Sequence, residues 1–181
     1  LSAGMENKKK EATRMFTLIR NAHVYTPDDC GVQDILLCHD KIIRMGQKLP
    51  FSDPACTVVD AAGKTAVPGF LDQHVHVTGG GGESSFKSRI REIGLPDIIR
   101  SGVTTVVGLL GTDGTTRSVE NLVAKTKALN EEGVTAYCLT GSYEVPSVTL
   151  TGSVQKDIAF VQEIIGCKVA ISDHRCSAPT K

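Results

Sequence analysis

The sequence predicts an α/β fold in which a small β domain precedes a partial TIM-like (β/α)8 barrel of about four βα units. Short β-type segments fill residues 16–68, and apolar, strand-like runs then begin near Phe70, Val103, Val134 and Lys168. The intervals between these runs are 33, 31 and 34 residues, which is typical of repeated βα units. A closed barrel needs eight units in about 250 residues. The roughly 110 residues from Phe70 onward therefore predict about half of a barrel.

Three β-type segments open the chain after a polar leader. Residues 1–15 carry Lys8-Lys9-Lys10 and lack the apolar centre of a signal peptide, which predicts a disordered leader. Residues 16–25 form the first strand, and residues 33–38 and 41–45 form a hairpin around His39-Asp40. Residues 57–60 and 65–67 continue the pattern of short strands, and Pro68-Gly69 ends it. We therefore place the β domain at 16–68 and the half barrel at 69–181.

Helical patterns fill the gaps between the later strands. The first has Ser118 as N-cap and Gly133 as stop, and its apolar face is Val119, Leu122, Val123 and Leu129. The second has Ser153 as N-cap and Gly166 as stop, and its apolar face is Val154, Ile158, Val161 and Ile165. Residues 90–100 predict a weaker helix, because Gly94 and Pro96 interrupt it.

Composition excludes several classes of partner. Lys plus Arg and Asp plus Glu are both 20, so the net charge of zero gives no reason to expect nucleic acid or an anionic membrane. No apolar stretch approaches the roughly 20 residues of a membrane span. The six cysteines form no C-x-x-C pair, and several lie in apolar runs. They predict free buried thiols in a reducing compartment, and hence a cytoplasmic protein.

Candidate ligands follow the first strand of the half barrel. His74 and His76 lie two residues apart and share one face of a strand, so both imidazoles can reach one metal ion. The alternative is a pair of hydrogen-bonded core histidines. Four glycines, residues 79–82, and then Glu83 follow at once. Bare backbone lets a ligand approach closely, although the same run also fits a flexible connection. The carboxyl ends of barrel strands are where active sites lie.

Lys168 lies in a run otherwise suited to burial, between Cys167 and Val169. Burial lowers the pKa of a lysine amine, and a neutral amine can react with carbon dioxide to give a carbamate whose two oxygens bridge metals. The alternative is a lysine at a strand edge that reaches solvent, and the residues alone favour that alternative.

These motifs together resemble a known family. The segment Pro68 to His76 (PGFLDQHVH) resembles the first-strand signature of the amidohydrolase superfamily. More specifically, DQHVHVTGGGGE, VVGLLGTDG, AKTKALNEEGV, LTGSYEVPS and KVAISDHR resemble the zinc-dependent isoaspartyl (β-aspartyl) dipeptidases, in the expected order between Asp72 and Arg175. The similarity extends back to about Phe16.

The resemblance implies a metal-dependent hydrolase barrel and a role for each matching residue. His74 and His76 would bind the more buried of two zinc ions, and carboxylated Lys168 would bridge both. Glu83 would hold the free α-amino group of the β-aspartyl residue, and Arg175 would pair with a substrate carboxylate. Gly81 and Thr112 would line the substrate pocket, and Tyr143 would support the developing oxyanion. A metal-activated hydroxide would attack the isopeptide carbonyl. Relatives also imply a homo-oligomer acting on a small-molecule substrate.

The chain departs from the family pattern after Lys168. The superfamily expects two further histidines and a late aspartate as general base, whereas only Asp173 and His174 follow, at positions that do not match. We therefore expect a truncated chain that is inactive alone. Two alternatives stay open: another cyclic-amide hydrolase similar to dihydropyrimidinase or hydantoinase, and a non-catalytic fragment. Glu83 distinguishes the first alternative, because an amino-group anchor suits a dipeptide rather than a neutral ring.

Overall fold

The computed structural model describes residues 15–176, which form two compact units, one ending at Pro68 and one beginning at Gly69. Residues 1–14, which make up nearly all of the predicted leader, lie outside the described part of the chain. Between residues 15 and 176, no helix has the length and apolar character required to cross a membrane.

The first unit is a mixed five-stranded sheet. Its strands are β1 (Phe16–Tyr25), β2 (Asp29–Cys38), β3 (Lys41–Gly46), β4 (Cys56–Asp60) and β5 (Thr65–Ala66). Strands β3, β2, β1 and β4 are neighbours in that order, and β5 pairs with β1. The predicted hairpin around His39-Asp40 is confirmed by the antiparallel pairing of β2 with β3, whereas β4 and β5 run parallel to β1.

A buried carboxylate ties the first unit together. Asp34 on β2 accepts hydrogen bonds from Arg20 Nη1 at 2.7 Å and from the backbone N–H groups of Asn21 and Leu49, both at 3.0 Å. Burial alone would raise the pKa of Asp34, but these donors and the Arg20 charge hold it below its ordinary value. The carboxylate therefore joins β1 and β2 to the segment that follows β3.

The second unit contains the predicted βα repeat. Its strands are β6 (Phe70–Val75), β7 (Val103–Gly108), β8 (Thr135–Gly141) and β9 (Ile164–Lys168), paired in parallel in chain order. Between them lie a 3₁₀ turn (Phe86–Ser88) and the helices α1 (Leu95–Arg100), α2 (Val119–Glu131) and α3 (Val154–Phe160). Parallel pairing brings the carboxyl ends of all four strands to one edge of the sheet, where loops can combine residues distant in sequence.

Helix α2 forms as its sequence pattern predicts. Ser118 accepts a hydrogen bond from the N–H of Asn121 and so caps the first turn. The predicted apolar face is fully buried and packs with strands β7 and β8 in one core cluster (Val119, Leu122, Val123 and Leu129). Burial of such side chains stabilises the fold by about 1.5–3 kcal/mol each.

The other two helix predictions require correction. Helix α3 is capped by Ser153 but ends at Phe160, and Gly166 lies inside β9 instead of stopping a helix. Ile158 is 43% exposed, and the buried residue of α3 is Asp157. The chain leaves the helix early because residues 164–168 pair with β8. The prediction of a strand that begins near Lys168 is therefore wrong, since β9 ends at that residue.

The weak helix predicted over residues 90–100 is also shorter. Helix α1 begins only at Leu95, with Gly94 as its N-cap and Pro96 in its first turn. Pro96 therefore starts the helix, because its missing N–H falls where helices leave that donor unused.

The cysteines correspond only in part to the predicted buried thiols. The described residues contain no disulfide, and Cys138 on β8 is the one fully buried cysteine, while the others are half-buried. Burial raises the pKa of the Cys138 thiol to about 11, which keeps it protonated and unreactive at neutral pH.

Candidate active site

A small polar cleft of about 120 Å³ lies at the carboxyl ends of the four parallel strands. It is lined by His76, Gly79, Gly80, Gly81, Glu83, Gly111, Thr112, Asp113, Arg117, Tyr143 and Arg175. Six of the eight residues predicted from sequence are among them. The other two, His74 and Lys168, adjoin the lining through His76 and Tyr143 respectively.

His74 lies in β6, and His76 directly follows the last residue of that strand. The ring centroids of His74 and His76 are 5.6 Å apart, with the ring planes at 73°. His76 Nδ1 is buried, and none of the described residues gives it a hydrogen-bond partner. Burial lowers the pKa of His76, and the charge of His74 lowers it further, so the imidazole is neutral at pH 7. A buried, unpaired nitrogen on a neutral ring argues against a hydrogen-bonded core pair and fits a ligand position.

Lys168 and Tyr143 meet at the ends of β8 and β9. Lys168 pairs with Gly141 in the strand register, and its Nζ lies 5.3 Å from the centroid of the Tyr143 ring. Gly141 has a φ of +83°, and a Cβ there would come within 2.5 Å of the Lys168 carbonyl oxygen. A glycine is therefore required for the chain to turn from β8 into the loop that carries Tyr143.

The run of four glycines forms a closed loop (residues 79–90, the glycine loop). Gly81 pairs with Arg89 across it, and the N–H of Ile90 donates to the Gly80 carbonyl at 2.8 Å. A Cβ at Gly79 would come within 2.2 Å of the Ile90 carbonyl oxygen. Since the two arms touch and are hydrogen-bonded, the loop is folded rather than a flexible connection.

Glu83 projects from the glycine loop toward the cleft. Its carboxylate accepts a hydrogen bond from Thr112 Oγ1 at 3.2 Å and pairs with Arg175 Nη1 at 3.3 Å. Its own backbone N–H, Thr112 and Arg175 together lower the pKa of Glu83. The Glu83 carboxylate is therefore ionised at neutral pH.

Arg175 supplies the opposite charge and is held by Asp173. The Arg175 Nε and Nη2 atoms each lie 2.9 Å from Asp173, in a bidentate pair. This pair raises the pKa of Arg175 and lowers that of Asp173. The Arg175 guanidinium also lies 5.4 Å from the Tyr143 ring centroid. Asp173 thus orients the guanidinium, while the neighbouring His174 is largely exposed.

Sequence reasoning missed Asp113 and Arg117. Asp113 follows Thr112 and accepts hydrogen bonds from the N–H groups of Thr115 and Thr116 and from the Thr116 hydroxyl. It also pairs with Arg117 Nη1 at 3.3 Å. Charged residues four apart at a strand-to-helix junction were the available signal in the segment DGTTR, but such a pair is common on helix surfaces.

Metal-ligating side chains are few in the described part of the chain. Between residues 15 and 176, no three His, Cys, Asp or Glu side chains cluster closely enough to hold a metal ion. Of the three predicted metal ligands, only His74 and His76 belong to these residue types, and the third is Lys168.

Comparisons with known proteins show similarity to two kinds of hydrolase. The chain is 49% identical to a β-aspartyl dipeptidase from Fervidobacterium islandicum AW-1, solved in complex with a β-Asp-Leu dipeptide. That match has a TM-score of 0.83 and covers 92% of this chain and 44% of that one. A dihydroorotase from Elusimicrobium minutum is 36% identical over 123 residues, which is 64% of this chain and 27% of that protein.

More distant similarity concerns the fold alone. A dihydropyrimidinase from Brevibacillus agri has a TM-score of 0.54 at 21% identity, covering 83% of this chain and 32% of that one. No family model matches the chain. The chain spans about a quarter of the length of the curated relatives it matches and under half of the dipeptidase structure.

Proposed function

This chain belongs to the amidohydrolase superfamily, and on that premise we propose that the full-length protein hydrolyses the isopeptide bond of β-aspartyl dipeptides. The observation that carries the proposal is the pair of opposite charges in one small cleft, Glu83 and Arg175, 3.3 Å apart. A β-aspartyl dipeptide carries a free amine and free carboxylates. When such a zwitterion binds, the ion pair between Glu83 and Arg175 is replaced by two ion pairs with the substrate. Glu83 then pairs with the amine, and Arg175 pairs with a carboxylate.

Each cleft residue has a task in this proposal. Glu83 accepts hydrogen bonds from the substrate α-amino group, with Thr112 fixing the carboxylate. Arg175, oriented by Asp173, binds a substrate carboxylate through its planar fork. Gly81 lines the cleft without a side chain, so that the substrate can approach the backbone. The Tyr143 hydroxyl donates a hydrogen bond to the oxygen that becomes negatively charged when the carbonyl is attacked.

The proposal includes a metal ion at the same site. The neutral imidazole of His76 has an unpaired buried nitrogen, His74 lies beside it, and Lys168 completes the donor set if its amine is carboxylated. We propose that these three residues hold zinc in the full-length protein. When bound, such an ion lowers the pKa of water and polarises a carbonyl group. We further propose, from the same resemblance, that the protein acts as a cytoplasmic homo-oligomer.

Hydrolysis of a cyclic amide is the second candidate, and the similarity to a dihydroorotase favours it. The two functions place different demands on Glu83. A neutral or anionic ring offers no amine to a carboxylate, and an unpaired carboxylate beside an anionic ring would weaken binding.

Steady-state kinetics of the full-length protein test the proposal. We expect hydrolysis of β-Asp-Leu, and we expect Glu83→Gln to raise KM for this dipeptide about 30-fold. The estimate follows because a hydrogen bond to a charged group contributes about 2 kcal/mol. Glu131→Gln removes the same charge from an exposed position on α2 and should leave KM unchanged. Turnover of dihydroorotate without turnover of β-Asp-Leu would establish the second candidate instead.

A further inference from the structure

Arg117 is a buried cation for which the proposed chemistry has no task. The residue is 6% exposed, and its guanidinium donates to three backbone carbonyls. Nε bonds to Thr78 O at 3.2 Å, and Nη2 bonds to Gly80 O at 2.9 Å and Ile90 O at 3.2 Å. Burying a charge costs free energy unless its hydrogen-bond donors have partners. The carbonyl oxygens provide those partners, so the contact is a specific structural one.

The three carbonyls mark the two ends of the glycine loop. Thr78 directly precedes the loop, Gly80 is its second residue, and Ile90 is its last residue. One side chain therefore binds both arms where they come together, while the loop between them carries Gly81 and Glu83 into the cleft. The loop has no apolar interior of its own, since Phe86 and Ile90 are both exposed. Its shape depends on these hydrogen bonds more than on packing.

The fourth contact of Arg117 extends to the other side of Glu83. Nη1 pairs with Asp113 Oδ2, and Asp113 directly follows Thr112, whose hydroxyl donates to Glu83. The same network thus holds the loop that carries the carboxylate and the segment that orients it. Arg89, within the glycine loop, also donates to Asp113 at 3.3 Å.

We propose that Arg117 is a positioning residue that fixes the glycine loop so that Glu83 presents its carboxylate to the amine of the substrate. The proposal rests on the proposed function, because it assigns to Arg117 the placement of a group that binds β-aspartyl substrates. Arg117 touches no reacting atom in this scheme. Its effect should therefore appear in binding and depend on Glu83.

Kinetics of full-length Arg117→Gln and Arg117→Lys variants test the proposal. We expect Arg117→Gln to raise KM for β-Asp-Leu about tenfold while kcat changes less than about threefold, because a displaced Glu83 weakens ground-state and transition-state binding alike. Arg117→Lys retains a cation for Asp113 and should recover part of the loss. Arg91→Gln, which removes an exposed arginine paired with Asp97 next to the loop, is the matched control and should leave KM within about twofold.

A double-mutant cycle separates positioning from general damage. If Arg117 acts through Glu83, Arg117→Gln should raise KM by less than about twofold in a Glu83→Gln background. Additive effects of the two substitutions, or a fall in kcat with KM unchanged, would overturn the proposal. Failure of the wild-type protein to cleave β-Asp-Leu would instead remove the proposed function.

Amide hydrogen exchange gives a readout that needs no activity. In the 181-residue chain, Arg117→Gln should speed exchange at the N–H of Ile90 at least about tenfold, while Leu122 and Leu129 in α2 keep their wild-type rates. Equal rates at Ile90 in wild type and variant would count against the proposal. If neither variant folds, wild-type Ile90 decides alone: protection close to that of α2 supports a clamped loop, and unprotected exchange refutes it.

Discussion

Replacing Lys168 with Met in the full-length protein is expected to lower kcat/KM for β-Asp-Leu by at least about a thousandfold. Lys168 ends β9 beside Tyr143, and together with burial and His74 its charge lowers the pKa of the half-buried His76. In the proposed function it is the third donor, which shares an ion with the two histidines. Loss of a metal ion that supplies about 4 kcal/mol of transition-state stabilisation corresponds to that factor. The measurement pairs kinetics with zinc content by elemental analysis.

The choice of Met keeps the aliphatic part of the side chain and removes only the amine. Lys41→Met serves as the control, because Lys41 is an exposed lysine paired with Asp40 in the first unit. It should change neither zinc content nor kcat/KM by more than about twofold. A Lys168→Met variant with wild-type activity would show that the lysine is the solvent-reaching residue that the sequence alone favoured.

The local sequence pattern correctly predicted those elements that are stabilised by residues close to them in sequence. The hairpin at His39-Asp40 and the strand of residues 16–25 follow from short alternating segments with turn residues between them. Helix α2 has a clear cap and an apolar face of the helical period, and both occur in the structure. In these segments propensity, capping and burial agree, which is the condition under which a single sequence suffices.

The helix prediction failed where the residue buried by the helix is charged instead of apolar. The face assigned to the helix after Ser153 included Ile158 and Ile165, yet Ile158 is exposed and Ile165 lies in β9. The residue that α3 buries is Asp157, which a search for apolar periodicity passes over. Short strands and helices of similar hydrophobicity cannot be distinguished by period alone, and pairing with β8 decided the boundary.

In the candidate site, too, some residues could be predicted from the sequence and others could not. Motif spacing placed His74 beside His76, whereas Glu83, Thr112, Tyr143 and Arg175 were assigned to the site by the resemblance to the β-aspartyl dipeptidases. The structure brings these four side chains into one cleft, although their roles stay predictions. Arg117 escaped notice because its partners are backbone carbonyls up to 39 residues away, and carbonyls leave no trace in a sequence. Such contacts are found only after the chain is folded.

Replacing Asp157 with Ala is expected to lower the free energy of unfolding of the second unit by about 4 kcal/mol. The buried carboxylate accepts hydrogen bonds from the N–H groups of Leu150 and Thr151 at 2.9 and 2.8 Å, and from the hydroxyls of Thr140 and Thr151 at 2.5 and 2.6 Å. Each buried donor left unsatisfied costs about 1–3 kcal/mol. Urea denaturation of the 181-residue chain, followed by circular dichroism, measures the loss.

Glu131→Gln removes one negative charge from the same unit without disturbing a buried network, so it should change the unfolding free energy by less than about 0.5 kcal/mol. An Asp157→Ala variant no less stable than this control would mean that the donors find other partners and that the carboxylate does not stabilise the second unit.

The pH dependence of the Asp157→Asn variant tests the electrostatic part of this contribution. Burial alone would raise the pKa of Asp157, but the Thr140 and Thr151 hydroxyls and the two backbone donors hold it below its ordinary value of 3.8. The folded pKa is below the unfolded one, so the stabilisation is complete above about pH 4 and declines as pH falls. The difference in unfolding free energy between wild type and Asp157→Asn should then narrow by about 1.4 kcal/mol per pH unit. A gap that stays constant down to pH 2 would refute the assigned shift.

The same carboxylate connects stability to the proposed chemistry. Thr140 is the last residue of β8 before Gly141, and Leu150 and Thr151 lie at the far end of the loop that carries Tyr143. Asp157 therefore binds both ends of the loop over residues 140–151, as Arg117 binds both ends of the glycine loop. Two loops that face one cleft are thus each closed by one buried charged side chain, which is positive in the glycine loop and negative in the loop that carries Tyr143. Because these charges are anchored on or next to helices, the rigid part of the fold sets the positions of Glu83 and Tyr143 before any substrate binds.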